Sequence, residues 1–312
     1  MRITRDASNG RIYLDQEAYT RELLRDTAME DCVPADSPAP TDAQALAKQH
    51  TQSAEESERM RNVPYRQVVG ALMYLSNTTR PDIAFCVRKV AQFAQAPGEI
   101  HWQAVKKILR YLNGTAHYGL VFGRVERNAD IGVTSATDTT SGAAATHISS
   151  YADADWAGNT GSRRSCTGNL VLLGGSIVDW TCKMQSTVAL SSCEAEYQSS
   201  GSAVQSMLYM NSLLTEMGLR GNNGSQRDGT LQLKVLNDNQ SAVAICKNDV
   251  LHSRVRPIDI KHPFIREQVE KGAVEVSWIP TDKQLADILT KVMSGATLKR
   301  MRDAIVVPVP QR

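Results

Sequence analysis

At 312 residues, 42% of them hydrophobic, the chain can bury one large core or two modest ones, which excludes a wholly disordered polymer. Thirty-five Lys and Arg against 33 Asp and Glu leave a net charge of +2, so no global basic excess declares a nucleic-acid partner, and any such binding must come from local patches. Six cysteines, at positions 32, 86, 166, 182, 193 and 246, show no CxxC spacing, which argues against a zinc ribbon and against a dense secreted disulfide framework.

From the front, MRITRDASNGRIYLDQ reads as two short alternating strands around a Ser8-Asn9-Gly10 turn, as though the chain began inside a fold. Gln16 to Thr27 follows as an amphipathic helix with Tyr19, Leu23 and Leu24 on one side. Residues 33–61 hold Pro34, Pro38 and Pro40 and then many Gln, Glu, Ser and Lys, a polar link with little to bury. From Pro64 to Leu112 the periodicity predicts three helices with short connections, with Pro81 at a helix start and Gly114 after a helix end. Residues 128–150 are rich in Thr, Ala, Ser and Gly without an apolar period, so the domain boundary is placed there. The expected division is 1–127, a linker at 128–147, a second domain at 148–303 and a tail at 304–312.

Beyond the linker, HISSYADADWAG, CTGNLVLLGG and SIVDWTCKM read as three sequential strands of an antiparallel meander. A long helix is expected over Ser191–Met217. LQLKVLND then reads as a strand, NQSAVAICKN and HPFIREQVEKG as helices, VEVSWIP as a strand and TDKQLADILTKVM as a final helix. Antiparallel strands first and helical crossovers later imply an α/β fold, a mixed sheet flanked by helices. No run approaches the roughly 18 apolar residues of a membrane helix and there is no apolar signal core, so an intracellular protein, cytoplasmic or nuclear, with no membrane partner is expected.

Four carboxylates of this second half fall where catalytic groups sit in α/β folds. Asp153 lies on the first strand, Glu196 in the first turns of the long helix, Asp238 at the end of the fourth strand and Asp287 within the final helix. If the first and fourth strands are neighbours, Asp153 and Asp238 converge at one edge while the other two approach from helix termini. Like charges so gathered are costly unless cations hold them, and hard oxygen donors select Mg2+ or Mn2+. Taken singly, each acid reads more readily as a surface carboxylate, or for Asp238 as a cap.

The strings YADADWAG, ALSSCEAEYQS, LNDNQSAVAI and VEVSWIPTDKQLADILTK resemble, in order and spacing, the ribonuclease H domain of copia-type LTR retrotransposon Pol polyproteins. Upstream, VPYRQVVGALMYLSNTTRPDIAFCVRKVAQF and HWQAVKKILRYLNGT resemble the helical thumb and connection segment between polymerase and ribonuclease H in those polyproteins. The opening GRIYLDQEAYTRELLRDTAMEDC resembles the region just after the polymerase palm. The resemblance implies a ribonuclease H-like fold in the second half and metal ligation by Asp153, Glu196, Asp238 and Asp287. Asp153 is preferred to Asp155 because the family's first acid follows its aromatic by two positions. Glu196 is preferred to Glu194 because EYQSSGSA aligns with the family's helix, which leaves Glu194 to the helix N-terminus.

The implied activity is hydrolysis of the RNA strand of an RNA–DNA hybrid with two Mg2+ or Mn2+ ions, one lowering the pKa of a bound water and the other stabilising the leaving oxygen. Selectivity for a hybrid needs contacts to 2′-hydroxyls, for which Ser192, Asn239 and Gln240 are candidates, and Arg163 and Arg164 are candidate phosphate contacts. A solvated hairpin turn accounts for the two arginines equally well. Trp156 and Trp180 are candidates to stack on sugars, with a half-buried packing role the favoured alternative for each.

The chain departs from the family around Arg256 to Pro263, where Lys261, His262 and Pro263 follow Ile258-Asp259-Ile260. Pro263 should delay the next helix, and an exposed loop position is the better reading of His262. No adjacent Asp-Asp pair occurs, so no polymerase activity is expected from this chain alone. An upstream reverse transcriptase palm and fingers segment is the implied protein partner, and exposed Leu72, Tyr74 and Leu75 would be its footprint. The competing reading is a catalytically inactive Pol remnant that binds nucleic acid or protein without cleavage.

Overall fold

The computed structural model describes residues 1–40, 53–123, 147–158, 161–219, 233–247, 262–293 and 295–310. The chain divides into two compact units, Met1–Phe122 with Lys291–Arg312, and Gly123–Thr290.

In the first unit, β1 (Arg2–Asp6) and β2 (Arg11–Asp15) pair antiparallel with Arg2 opposite Asp15, and Gly10 turns the chain at a φ of +61°. Helix α1 (Glu17–Asp26) buries Thr20, Leu23 and Leu24, while Tyr19 meets Tyr74 edge-on at 5.2 Å. The polar link contains a helix the sequence reading lacks, α2 (Ala54–Arg61), started by the Ser53 hydroxyl accepting the Glu56 N–H. Its one apolar anchor, the buried Met60, is too little to make a period. The three predicted helices are α3 (Tyr65–Thr78), α4 (Ala84–Ala91) and α5 (Glu99–Gly114). Leu72 and Leu75 are fully buried, which corrects their expected exposure: they lie three residues apart on the inward stripe of α3, and only Tyr74 stays half-exposed.

Between α3 and α4, a 3-10 turn at Pro81–Ile83 buries an ion pair. The Arg80 guanidinium donates to both Asp82 oxygens at 2.9 and 2.8 Å and to the Thr115 carbonyl at 2.8 Å, and the Tyr111 hydroxyl donates to Asp82 at 2.8 Å. A buried pair of this kind holds because its remaining donors and acceptors are satisfied. Strand β3 (Tyr118–Gly123) has no counterpart among the expected elements; it lies beside β2, where a Cβ on Gly119 would fall 2.4 Å from the Leu14 carbonyl oxygen.

In the second unit, β4 (Ile148–Asp155), β5 (Cys166–Leu173) and β6 (Ser176–Met184) form the predicted meander. Helix α6 (Ser192–Glu216) follows, then β7 (Leu233–Asn237), α7 (Gln240–Lys247), α8 (His262–Glu270) and β8 (Val274–Trp278). The sheet order is β6-β5-β4-β7-β8, with β7 parallel to both β4 and β8, so the first and fourth strands of the unit are neighbours as expected. The expected mixed α/β sheet is present, its core built by Ile148, Ala152, Val204, Met207, Val235 and Val276. Residues 248–261, which include Arg256, Asp259 and Lys261, lie outside the described residues, and α8 begins at His262.

Two expectations at the C-terminal end are corrected. The final helix over 281–293 is instead two 3-10 turns, Thr281–Lys283 and Leu285–Leu289, separated by Gln284 in extended conformation (ψ 94°). Gln284 donates from Nε2 to the Ala152 carbonyl at 2.9 Å and accepts from the Ala286 N–H, so bonding to β4 outcompetes a continuous helix. The expected boundary at 303 and free tail also give way: the second unit ends at Thr290, and α9 (Gly295–Asp303) with β9 (Val307–Pro308) belongs to the first. Strand β9 pairs antiparallel with β3, and Ile305, Val306 and Val309 are buried.

Candidate metal centre

Because β4, β7 and β8 are parallel, their C-terminal ends share one edge of the sheet. Asp153 sits two residues before the end of β4, wholly buried, and Asp238 directly follows β7. Helix α6 brings Glu196 to the same edge. Its N-terminus packs on the strand end through three small buried residues, Ala154, Ala189 and Ala195, which put only methyl groups between them. Carboxylate oxygens of Asp153, Glu196 and Asp238 lie within 4.8 Å of one another. The donor set is all oxygen, which fits a hard divalent cation.

The electrostatics agree with that fit. Burial, and then the Asp153 carboxylate, push the Glu196 carboxyl up to about 9 in the metal-free protein, against the opposing donation of Asn237. A cation would remove this penalty.

Neighbouring groups hold the acids in place. The Asp153 carboxylate accepts from the Thr290 hydroxyl, and its carbonyl accepts from Ser199 Oγ at 2.8 Å. Asn237, wholly buried, donates through Nδ2 to Glu196 Oε2 at 3.1 Å and to the Ala152 carbonyl at 3.1 Å, and its Oδ1 accepts from the Asn239 N–H at 2.7 Å. Thr290, Asn237 and Gln284 were missed in the sequence. The one signal for Asn237 was a polar residue closing an apolar run; the other two give none, because their partners are more than 130 residues away.

Of the near neighbours set aside, Glu194 accepts from the Leu190 N–H at 2.7 Å while its own N–H donates to Ser191, the N-cap, so it belongs to the helix start as expected. Asp155 is turned over the following loop, where a Cβ on Gly158 would fall 1.6 Å from its Oδ2. Asp287 is buried on the 3-10 turn that also carries Thr290, but it is not a member of the three-acid group. The structure therefore brings together three of the four expected acids.

The other candidates are placed as follows. Ser192 and Gln240 are exposed at the starts of α6 and α7, and Asn239 Oδ1 caps α7 by accepting the Ala242 N–H at 3.0 Å. Arg163 and Arg164 are exposed between β4 and β5, Arg163 with a positive φ of 55°. Trp180 is half-buried on β6, and Trp156 remains 46% exposed. All six cysteines are described and none is in a disulfide. Among the described residues no helix is long and apolar enough to cross a membrane.

No protein-family model matches the chain. It is similar to the retrovirus-related Pol polyprotein from transposon TNT 1-94 of Nicotiana tabacum, with 34% identity over 293 residues, 94% of this chain and 20% of that protein. The retrovirus-related Pol polyprotein from transposon RE2 of Arabidopsis thaliana is 34% identical over 96% of this chain and 18% of its own length. The chain thus spans about a fifth of the length of these relatives. Secreted RxLR effector protein 161 of Plasmopara viticola is 44% identical over 151 residues, 48% of this chain and 94% of that protein. Among solved structures, LC11-RNase H1 isolated from compost is similar at a TM-score of 0.34 and 16% identity, over 46% of this chain and 93% of that one.

Proposed function

The chain belongs to the family of copia-type retrovirus-related Pol polyproteins, and from that premise we propose that its second unit is a ribonuclease H that hydrolyses the RNA strand of RNA–DNA hybrids with Mg2+ or Mn2+. The observation that carries the reading is the convergence of Asp153, Glu196 and Asp238 within 4.8 Å at one sheet edge. The bound ions would supply an activated water and stabilise the leaving oxygen. The protein's part is to keep three carboxylate arms aimed at one point, Asp153 through Thr290 and Glu196 through Asn237. Asp287, on the turn next to that point, is proposed as the fourth ligand, drawn in when ions neutralise the cluster.

Substrate contacts are assigned to the exposed groups around the edge. Ser192 and Gln240 are proposed to meet 2′-hydroxyls, and Asn239 to do so through Nδ2, since its Oδ1 accepts from the Ala242 N–H at the cap. Arg163 and Arg164, both exposed, are proposed to contact phosphate. The first unit is the thumb and connection fragment, with an upstream polymerase segment as its partner in a longer polyprotein.

The test uses the full chain with a labelled RNA–DNA hybrid in magnesium or manganese. RNA-strand cleavage is expected, abolished by EDTA and lowered about a thousandfold in Asp238→Asn, the order expected when several kcal/mol of metal-mediated stabilisation are lost. Hybrid binding without cleavage in either metal would overturn the hydrolase in favour of a binding remnant.

A further inference from the structure

Two tryptophans stand at the acid-bearing edge of the sheet with half their surface in solvent, Trp156 at 46% and Trp278 at 47% exposure. Trp156 follows Asp153 by three residues, in the turn that leaves β4; Trp278 closes β8 in register with Asn237. Neither indole is loosely held. The Trp156 Nε1–H donates to the Ala189 carbonyl at 3.1 Å, in the segment leading into α6, and the Trp278 Nε1–H donates to the carbonyl of Asp238 itself at 3.0 Å. Each ring is therefore tied at its polar edge to the backbone beside a candidate metal ligand, one at β4 and α6 and the other at β7.

We propose that Trp156 and Trp278 are substrate-positioning residues whose exposed faces pack against the sugars or bases of the bound hybrid; this rests on the hydrolase reading above. A polyanion must be seated beside a cluster of carboxylates, which repel it. Neutral aromatic faces supply affinity without adding charge, and because every nucleotide offers an apolar face they do so without selecting sequence. An indole whose N–H is already satisfied also keeps its orientation, so little side-chain freedom is lost on binding.

The experiment compares the full chain with Trp156→Ala, Trp278→Ala and the corresponding Phe variants. Binding of a fluorescent hybrid is followed by anisotropy with calcium in place of magnesium, cleavage by KM and kcat in magnesium, and metal binding by Mn2+ titration. The Ala variants are expected to weaken hybrid binding and raise KM about five- to a hundredfold. Their kcat and Mn2+ affinity should stay within about threefold of the parent, and the Phe variants should recover most of the loss. Hybrid binding unchanged in both Ala variants overturns the proposal, as does a parallel loss of Mn2+ affinity that Phe does not restore, which would make the indoles structural props. If the parent chain binds the hybrid but never cleaves it and the Ala variants still lose binding, the positioning role stands while the hydrolase reading falls.

Discussion

Thr290 and Glu196 show how much of the site depends on side chains that reach across the chain. The Thr290 hydroxyl donates to the buried carboxylate of Asp153 from 137 positions away in sequence, so Thr290→Val should take that donor away from the carboxylate. Loss of such a supporting contact is expected to weaken Mn2+ binding about ten- to a hundredfold, with Thr290→Ser close to the parent in the same titration. For Glu196, the folded chain holds the carboxyl proton up to about 9, against 4.5 ordinarily. Below the ordinary value both folded and unfolded chains are protonated and stability is complete. Between the two values the unfolded chain releases a proton that the folded chain keeps, so stability falls as pH rises through that window. Melts in EDTA should therefore drop from about pH 5 to about pH 8, magnesium should restore them more at the higher pH, and Glu196→Gln should flatten the EDTA curve.

At the level of elements, the 3-10 turn Leu285–Leu289 is what sets Thr290 and Asp287 against the sheet, and Gly168 on β5 is what lets it come so close. A Cβ there would lie 2.6 Å from Thr290 Cγ2, 3.0 Å from the Ala286 carbonyl oxygen and 3.0 Å from Leu289 Cβ. Gly168→Val should displace the turn, costing about 1–3 kcal/mol in denaturant unfolding as overpacked sites do and weakening Mn2+ binding at the same time. A melt and a metal titration both matching the parent would show that the turn can yield without moving Thr290. The long helix has a mixed arrangement: its start is determined locally, by Ser191 capping Glu194 and by Glu194 reaching back to Leu190, while the Glu196 carboxylate is held by Asn237 from 41 positions away.

For the whole molecule, the consequential finding is where the chain's last segment goes. Residues 291–312 complete the first unit, with β9 against β3 and Ile305, Val306 and Val309 buried. Removing residues 304–312 should destabilise that unit by several kcal/mol, at about 1.5–3 kcal/mol for each apolar side chain returned to water. Hydrogen exchange should show faster exchange in β2, β3 and α5 while β4 and α6 stay protected; uniform protection in both units would mean the C-terminal strand contributes nothing. A design that ends at 303 to isolate the second unit carries α9 without its partners.

Strong local signals were legible without coordinates. The alternating strands of the second unit, the amphipathic stripes of α3 to α5 and the positions of the acids at strand and helix ends follow from periodicity within short windows, and the choice of Asp153 over Asp155 and of Glu196 over Glu194 from the resemblance to the family's motifs. What the sequence by itself could not determine was decided by partners distant along the chain. Gln284 broke the expected last helix because β4 offers it a carbonyl, Met60 anchored a helix in a stretch too polar to show a period, and the C-terminal residues became a strand because β3 presents an edge. Asp287 is the same case at the site: its type and spacing marked it as a ligand, but its distance from the other three depends on a turn held by Thr290, Gln284 and the absence of a side chain at Gly168. Local rules determine which residues can carry the chemistry, and long-range hydrogen bonding and close packing, invisible in any window of sequence, decide which of them meet.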